Sequence, residues 1–208
     1  DTQVISQGQQ TITDGATGTR INGDSTRITN TGDITADGAG SIAAVIDGND
    51  SSLIQTGDLL VTHGATGLVA YGQNNTLSNT GNATVQDTSS IGFVVAGQGN
   101  TFKNKGNIQV SLNGTGTLVS GNEAQTTLGG NIIVDSTQDS TGVYRGATGI
   151  SIIGDDTTTD ISGSVSLNSD FANNSKMASS DVLSGIDITG DNNQVSLSGA
   201  LTIYSSDQ

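Results

Sequence analysis

The sequence predicts an all-β fold: a single-stranded, right-handed parallel β-helix of about seven or eight coils, each 24–25 residues long. Three observations carry this. Seven times a glycine is followed by another nine residues later: Gly23/Gly32, Gly48/Gly57, Gly72/Gly81, Gly97/Gly106, Gly121/Gly130, Gly154/Gly163 and Gly190/Gly199. Matched glycines advance by 25, 24, 25, 24, 33 and 36 residues. Apolar residues hold fixed offsets from each pair, as in Ile34/Ala36, Leu59/Val61 and Ile108/Val110 after the second glycine, and Ala44/Ile46, Leu68/Ala70 and Phe93/Val95 before the first. A repeat of this period marks a solenoid, in which each unit buries its apolar face only by stacking on its neighbours.

Each element follows from the same frame. A short strand precedes the first glycine and another follows the second, because apolar and polar residues alternate there with a period of two. A third strand is expected between them, around Ile28, Leu53, Leu77 and Phe102, each five residues beyond the first glycine. The glycines are expected at bends, where positive φ or close backbone approach is easy. No run shows the i, i+3, i+4, i+7 pattern a helical solenoid needs. Right-handed winding is favoured by strand twist and connection handedness. Stacked about 4.8 Å apart, roughly eight coils make a rod of roughly 38 Å.

Along the chain, residues 1–17 read as a partial first coil. Ile12 sits at a core position but Gln10 takes the other, so this layer is expected to fray or to continue in further sequence. Residues 1–208 otherwise form one β-helix segment, read as a mature or excised piece of a longer chain. Asn30, Asn79 and Asn104 share a position two before the second glycine, which suggests either an asparagine ladder or simple turn preference. In later coils the middle apolar residue moves to Leu128 and Ile161, seven after the first glycine, and this predicts a change of register or curvature on that face. The two long intervals place insertions near 135–147 and 168–184. They are expected as surface loops, where binding residues often gather. Tyr144, Arg145, Asp170, Phe171 and Lys176 are the candidate ligand-binding residues there, beside the reading of a tolerated solvent loop.

Composition narrows the chemistry. Six basic against twenty acidic residues give a net charge of −14. That disfavours nucleic acid, acidic polysaccharides and anionic membrane surfaces. There is no cysteine, which fits a reducing compartment or an exported chain, and stability must come from repeat packing. No run of 18 apolar residues is present to span a membrane as a helix. His63 is the single histidine, so a multi-histidine metal site is excluded, and it reads as a polar turn residue. Asp24, Asp33, Asp58, Asp155 and Asp191 each follow a repeat glycine and read first as turn acceptors. Asp155, Asp156 and Asp160 could hold calcium as hard oxygen ligands. The same three, and separately Asp24, Asp47, Asp50 and Asp58, are the candidates for paired catalytic acids, with Asp24 between Arg20 and Arg27 the most plausible cluster. No catalytic residue and no metal ligand is assigned, and no cofactor other than calcium is considered.

The texture of these coils, as in Leu77-Ser78-Asn79-Thr80-Gly81-Asn82-Ala83-Thr84-Val85 and Phe102-Lys103-Asn104-Lys105-Gly106-Asn107-Ile108-Gln109-Val110, resembles the passenger domain of a Gram-negative autotransporter of the adhesin type. The resemblance covers nearly the whole chain and is one of repeat style. It implies a right-handed β-helix displayed at the bacterial cell surface, exported through a C-terminal barrel that lies outside this sequence. It implies attachment to a host surface protein or glycan, or self-association in aggregates and biofilm, with no enzymatic activity. A polysaccharide-acting β-helical enzyme and a passive stalk are the alternatives.

Overall fold

The computed structural model describes residues 2–169 and 181–205. The described chain is all strand, turn and bend, and winds through three parallel sheets in strict rotation. The first sheet stacks eight strands, from Thr2–Ser6 through Thr76–Asn79 to Gln194–Leu197. The second stacks eight in parallel, from Gln10–Ile12 to Leu201–Ser205, and carries one short antiparallel strand, Tyr144–Arg145. The third stacks seven, from Thr17–Ile21 to Leu183–Ile188. Leaving aside the hairpin strand Tyr144–Arg145, every third strand is a hydrogen-bonded neighbour, so the chain is a parallel β-helix with three strands per coil.

The expected offsets hold in register. Ile34, Leu59, Ala83, Ile108, Ile132, Val165 and Leu201 stack in one column. Most of this column is fully buried, with Ile108, Ile132 and Val165 at 0% exposure. Phe93 from the third sheet meets Phe102 from the first with ring centroids 4.7 Å apart, filling the fourth coil. Burying such side chains supplies about 1.5–3 kcal/mol each, which is what holds a chain without disulfides.

The glycines act mainly through space. A Cβ on Gly106 would lie 2.5 Å from the carbonyl carbon of Gly81, and nearer still to its oxygen. The same clash recurs between Gly48 and Gly23, Gly57 and Gly32, Gly81 and Gly57, Gly130 and Gly106, Gly154 and Gly121, Gly163 and Gly130, Gly190 and Gly154, and Gly199 and Gly163. Two columns of glycine therefore let successive corners touch backbone to backbone. Of the fourteen paired glycines only Gly72 and Gly97 have positive φ. The left-handed residue is instead two positions after the first glycine, at Ser25, Asp50, Asn74, Gly99, Glu123, Asp156 and Asn192. Asn, Asp and Gly adopt that conformation most readily.

One expectation is corrected here. The first sheet does not shift register: Phe102 pairs with Thr126 and Asn104 with Leu128. Both positions point inward, and all four residues are buried. The polar and apolar residues simply exchange places between two inward sites. The first layer is formed as a coil, with Val4 and Ile5 left exposed at its open edge. Thr2–Ser6 and Gln10–Ile12 pair in register with the coil above, Ile12 is buried, and Gln10 donates to Ser6 Oγ and Asn30 Oδ1, each at 3.0 Å.

Asparagine ladders are present inside the coil. Asn30 Nδ2 donates to Gln55 Oε1 at 2.6 Å, and Asn79 Nδ2 to Asn104 Oδ1 at 2.7 Å. Each of these four side chains also donates to the carbonyl of the glycine two residues on. A second buried ladder runs three residues beyond the first glycine. Asn75 Oδ1 accepts the Ser51 N–H at 2.9 Å, and Asn100 Oδ1 accepts the Asn75 N–H at 2.7 Å. Their amides donate to the carbonyls of Gly48 and Gly72 in the stacked glycine column, so corners packed too tightly for water keep their hydrogen bonds.

Candidate functional site

Four features of the outer surface are candidates for contact. The first is a pair of exposed ladders. At the corner between the first and second sheets, Oδ1 of Asp33, Asp58, Asn82, Asn107 and Asn131 accepts in turn the N–H of Asp58, Asn82, Asn107, Asn131 and Ser164, at 2.8–3.1 Å. At the corner between the third and first sheets, Asp24, Asn49, Asn122 and Asp155 do the same for Asn49, Gln73, Asp155 and Asp191. The recurring acids are thus turn acceptors. This commits the Asp24 carboxylate to a backbone N–H, while Arg20 reaches Asp47 at 2.7 Å. The suggested Arg20–Asp24–Arg27 grouping is not what the fold assembles. Asp155 likewise serves Asp191, and among the described residues no three His, Asp or Glu side chains are grouped to hold a metal ion.

The second feature is the corner between the second and third sheets, from which both insertions leave on adjacent coils. The insertion near 135–147 is a hairpin, not an open loop. Strand Ile132–Gln138 runs on past its coil and pairs antiparallel with Tyr144–Arg145. Asp139 closes its turn, accepting the Thr141 N–H at 2.8 Å and the Thr141 hydroxyl at 2.6 Å. Arg145 Nε donates to Asp139 Oδ2 at 2.8 Å. The Thr141 hydroxyl first, and the Arg145 guanidinium next, hold the Asp139 carboxyl well below the usual carboxylate range. Arg145 Nη1 also meets Asp181 Oδ2 at 3.3 Å, which ties the first insertion to the end of the second.

These positions revise the candidate residues. Tyr144 is buried, at 8% exposure, so it packs the hairpin and does not present a contact face. Arg145 is half-buried and engaged by two carboxylates. Asp170, Phe171 and Lys176 lie outside the described residues. The second insertion is also shorter than expected, since Asn168 and Ser169 belong to strand Val165–Ser169, and Leu183 and Ser184 to strand Leu183–Ile188.

The third feature lies on the same corner, lower in the stack, and sequence reasoning missed it. His63 Nδ1 is 2.7 Å from Asp37 Oδ1, and Nε2 is 3.7 Å from Asp87 Oδ2. The Thr62 hydroxyl donates to Asp87 Oδ2 at 2.5 Å. The hydrogen bond to Asp37, then the charge of Asp87, raise the His63 pKa above its ordinary value. The spacings 37, 63 and 87 follow the coil period, and that signal was available. His63 is a turn residue, with φ of 52°, but it also bridges two carboxylates, one from the coil on either side of its own.

The fourth feature is a groove along the second sheet. Two adjoining depressions, of about 280 and 350 Å³, share Asp58, Asn82 and Thr84 and extend from Gln9 to Ile133. The exposed ladder forms one wall, and the outward side chains Thr35, Leu60, Thr84, Gln109 and Ile133 form the floor. The third sheet, in contrast, has a closed outer seam: Val45, Val69 and Val94 stack outward yet stay buried, with Ile42, Ile91 and Ala96 against them.

Comparison with protein-family models, curated proteins and solved structures finds no match to this chain.

Proposed function

We propose that this chain is a non-catalytic adhesive rod, displayed outside a bacterial cell, that attaches to surfaces or to further copies of itself. The observation that carries the reading is the placement of the insertions. Five successive coils keep a spacing of 24 or 25 residues, and the two that depart from it both expand at one corner. The core registers pass through these coils unbroken, Ile132 to Val165 and Ile150 to Ile186. A solenoid that adds residues at one edge while keeping its stack presents those residues to a partner.

The remaining surface supports the same reading. The outer face of the first sheet is a run of short polar side chains in register, such as Ser52, Thr76, Thr101, Gln125 and Thr158. Repetition along a rigid rod lets many weak contacts act together. With a net charge of −14, self-association has to use polar matching or bridging cations, and calcium is the cation to try first. The resemblance to autotransporter adhesin passengers points the same way and supplies the proposed setting, the cell surface. Sedimentation of the purified chain with and without calcium, together with binding to immobilised host-surface proteins and glycans, tests the reading. A strict monomer that binds none of them would leave a passive stalk as the better account.

A further inference from the structure

We infer that the groove along the second sheet is a binding site for a linear, uncharged glycan lying parallel to the rod axis. The inference rests on the adhesive reading only in taking the rod to meet a surface. The groove and its ligand class are argued from the geometry.

The groove repeats with the coils. Each coil contributes one ladder side chain to the wall, Asp58, Asn82 or Asn107, and one outward side chain to the floor, Leu60, Thr84 or Gln109. A ligand that uses every rung must itself repeat about every 4.8 Å, the spacing of stacked strands. An extended polypeptide advances about 3.3 Å per residue and falls out of step within a few rungs. A pyranose ring in an extended β-1,4-linked chain advances by about one rung of that spacing, so every rung faces one sugar, and alternate sugars, which face the same way, meet the groove in the same orientation.

The chemistry of the rungs selects within that class. Wall and floor offer the Asn82 and Asn107 amide N–H groups, whose oxygens the ladder holds, the Thr84 hydroxyl and the Gln109 carbonyl, whose own N–H goes to Asp135 at 2.9 Å, for sugar hydroxyls, with the aliphatic Leu60 for ring carbons. Asp33 and Asp58 line the same wall on a chain of net charge −14, which repels polyuronates and sulfated chains. No aromatic side chain lines either depression, so stacking does not anchor any single ring. Affinity has to accumulate over successive rungs and depends on ligand length.

The test uses β-1,4-linked glucose oligomers from the disaccharide to the hexasaccharide, titrated into the full chain by calorimetry or by amide chemical shifts. Binding should strengthen with each added sugar and level off near the five floor positions. Thr84→Arg places a bulky cation across the floor and should weaken hexasaccharide binding at least about tenfold, as a clash on one rung would. Ser151→Arg, on the outer face of the third sheet, should leave binding unchanged, and matching circular dichroism melts would show both variants folded. A polygalacturonate oligomer should not compete. No binding at any length, binding independent of length, equal binding of the polyuronate, or binding that Ser151→Arg abolishes and Thr84→Arg spares would each overturn the inference. Sedimentation of the same samples separates the two claims, since self-association that persists without glycan binding removes the groove assignment alone.

Discussion

Replacing Gly106 by alanine tests why the glycines recur. Its φ lies outside the left-handed region, so an account based on turn conformation alone expects little from the change. The stack says otherwise. The new Cβ would stand 2.5 Å from the Gly81 carbonyl carbon and 3.0 Å from Asn82 N, with the Gly81 oxygen closer than either. All three atoms are backbone and cannot swing aside. The two coils must part locally, and overpacking of this kind costs ~1–3 kcal/mol. The parting also strains the bonds beside it, Lys105 N–H to the Asn79 carbonyl at 2.9 Å and Asn107 N–H to Asn82 Oδ1 at 3.1 Å. Each is worth ~0.5–1.5 kcal/mol. We expect a loss of about 4 kcal/mol from the two contributions together. Urea unfolding followed by far-ultraviolet circular dichroism reads it, with Gly8→Ala as the control. A Cβ on Gly8 meets nothing within 4 Å, so that variant should be neutral or gain ~0.4–1 kcal/mol through the unfolded chain. A Gly106→Ala protein within about 1 kcal/mol of the parent would refute the stacking argument.

Three further outcomes follow from the interior and the corner. The folded-state pKa of His63 is raised, so its contribution to stability is complete below the unfolded value of 6.5 and fades as pH rises through the folded value. His63→Asn, which tolerates the φ of 52°, should therefore lower the melting temperature more at mildly acidic than at alkaline pH. An equal effect at both would show that the pairing with Asp37 and Asp87 is without consequence. Asn104→Leu removes the acceptor of the buried Asn79 amide and should cost ~1–3 kcal/mol, whereas Asn79→Leu with Asn104→Leu should cost less than the sum of the single changes. Strict additivity in chemical denaturation would argue against a coupled ladder. Thr126→Val and Thr159→Val remove buried hydroxyls that have no hydrogen-bond partner, and each should stabilise by about 1 kcal/mol in the same assay. Destabilisation would mean that those hydroxyls are bonded in solution.

The strand positions were legible because a strand buried on one face must alternate, and the glycine pairs fixed where each alternation starts. What the glycines do was only partly legible. Bends were expected, but the contact between Gly106 and Gly81 is made by residues one whole coil apart, and no local pattern shows it. The move from Phe102 to Leu128 was misread because the sequence displays only the apolar partner of each inward pair. Thr126 and Asn104 look like surface residues until the strand places them inside. The insertions were visible as surplus length. Their internal order was not, since Asp139 closing a hairpin and Arg145 reaching Asp181 depend on how two successive coils stack. The Asp37–His63–Asp87 column was visible in principle at the coil period, but its residues differ in type and so do not read as a repeat. The outward Val45, Val69 and Val94 likewise kept a fixed offset from their glycines and could have been noticed.

The proposal that this rod is adhesive, and that its contacts centre on the expanded corner, is tested most directly by displaying the chain on bacterial cells with and without residues 170–180. That deletion spares the strands at 165–169 and 183–188 and the Asp181 partner of Arg145. Cell aggregation and surface attachment are measured side by side, and circular dichroism of the purified chain verifies the fold. The account predicts attachment by the intact rod and its loss in the deleted one, with the β-spectrum unchanged. Attachment undiminished by the deletion, or no attachment by the intact rod, would contradict it.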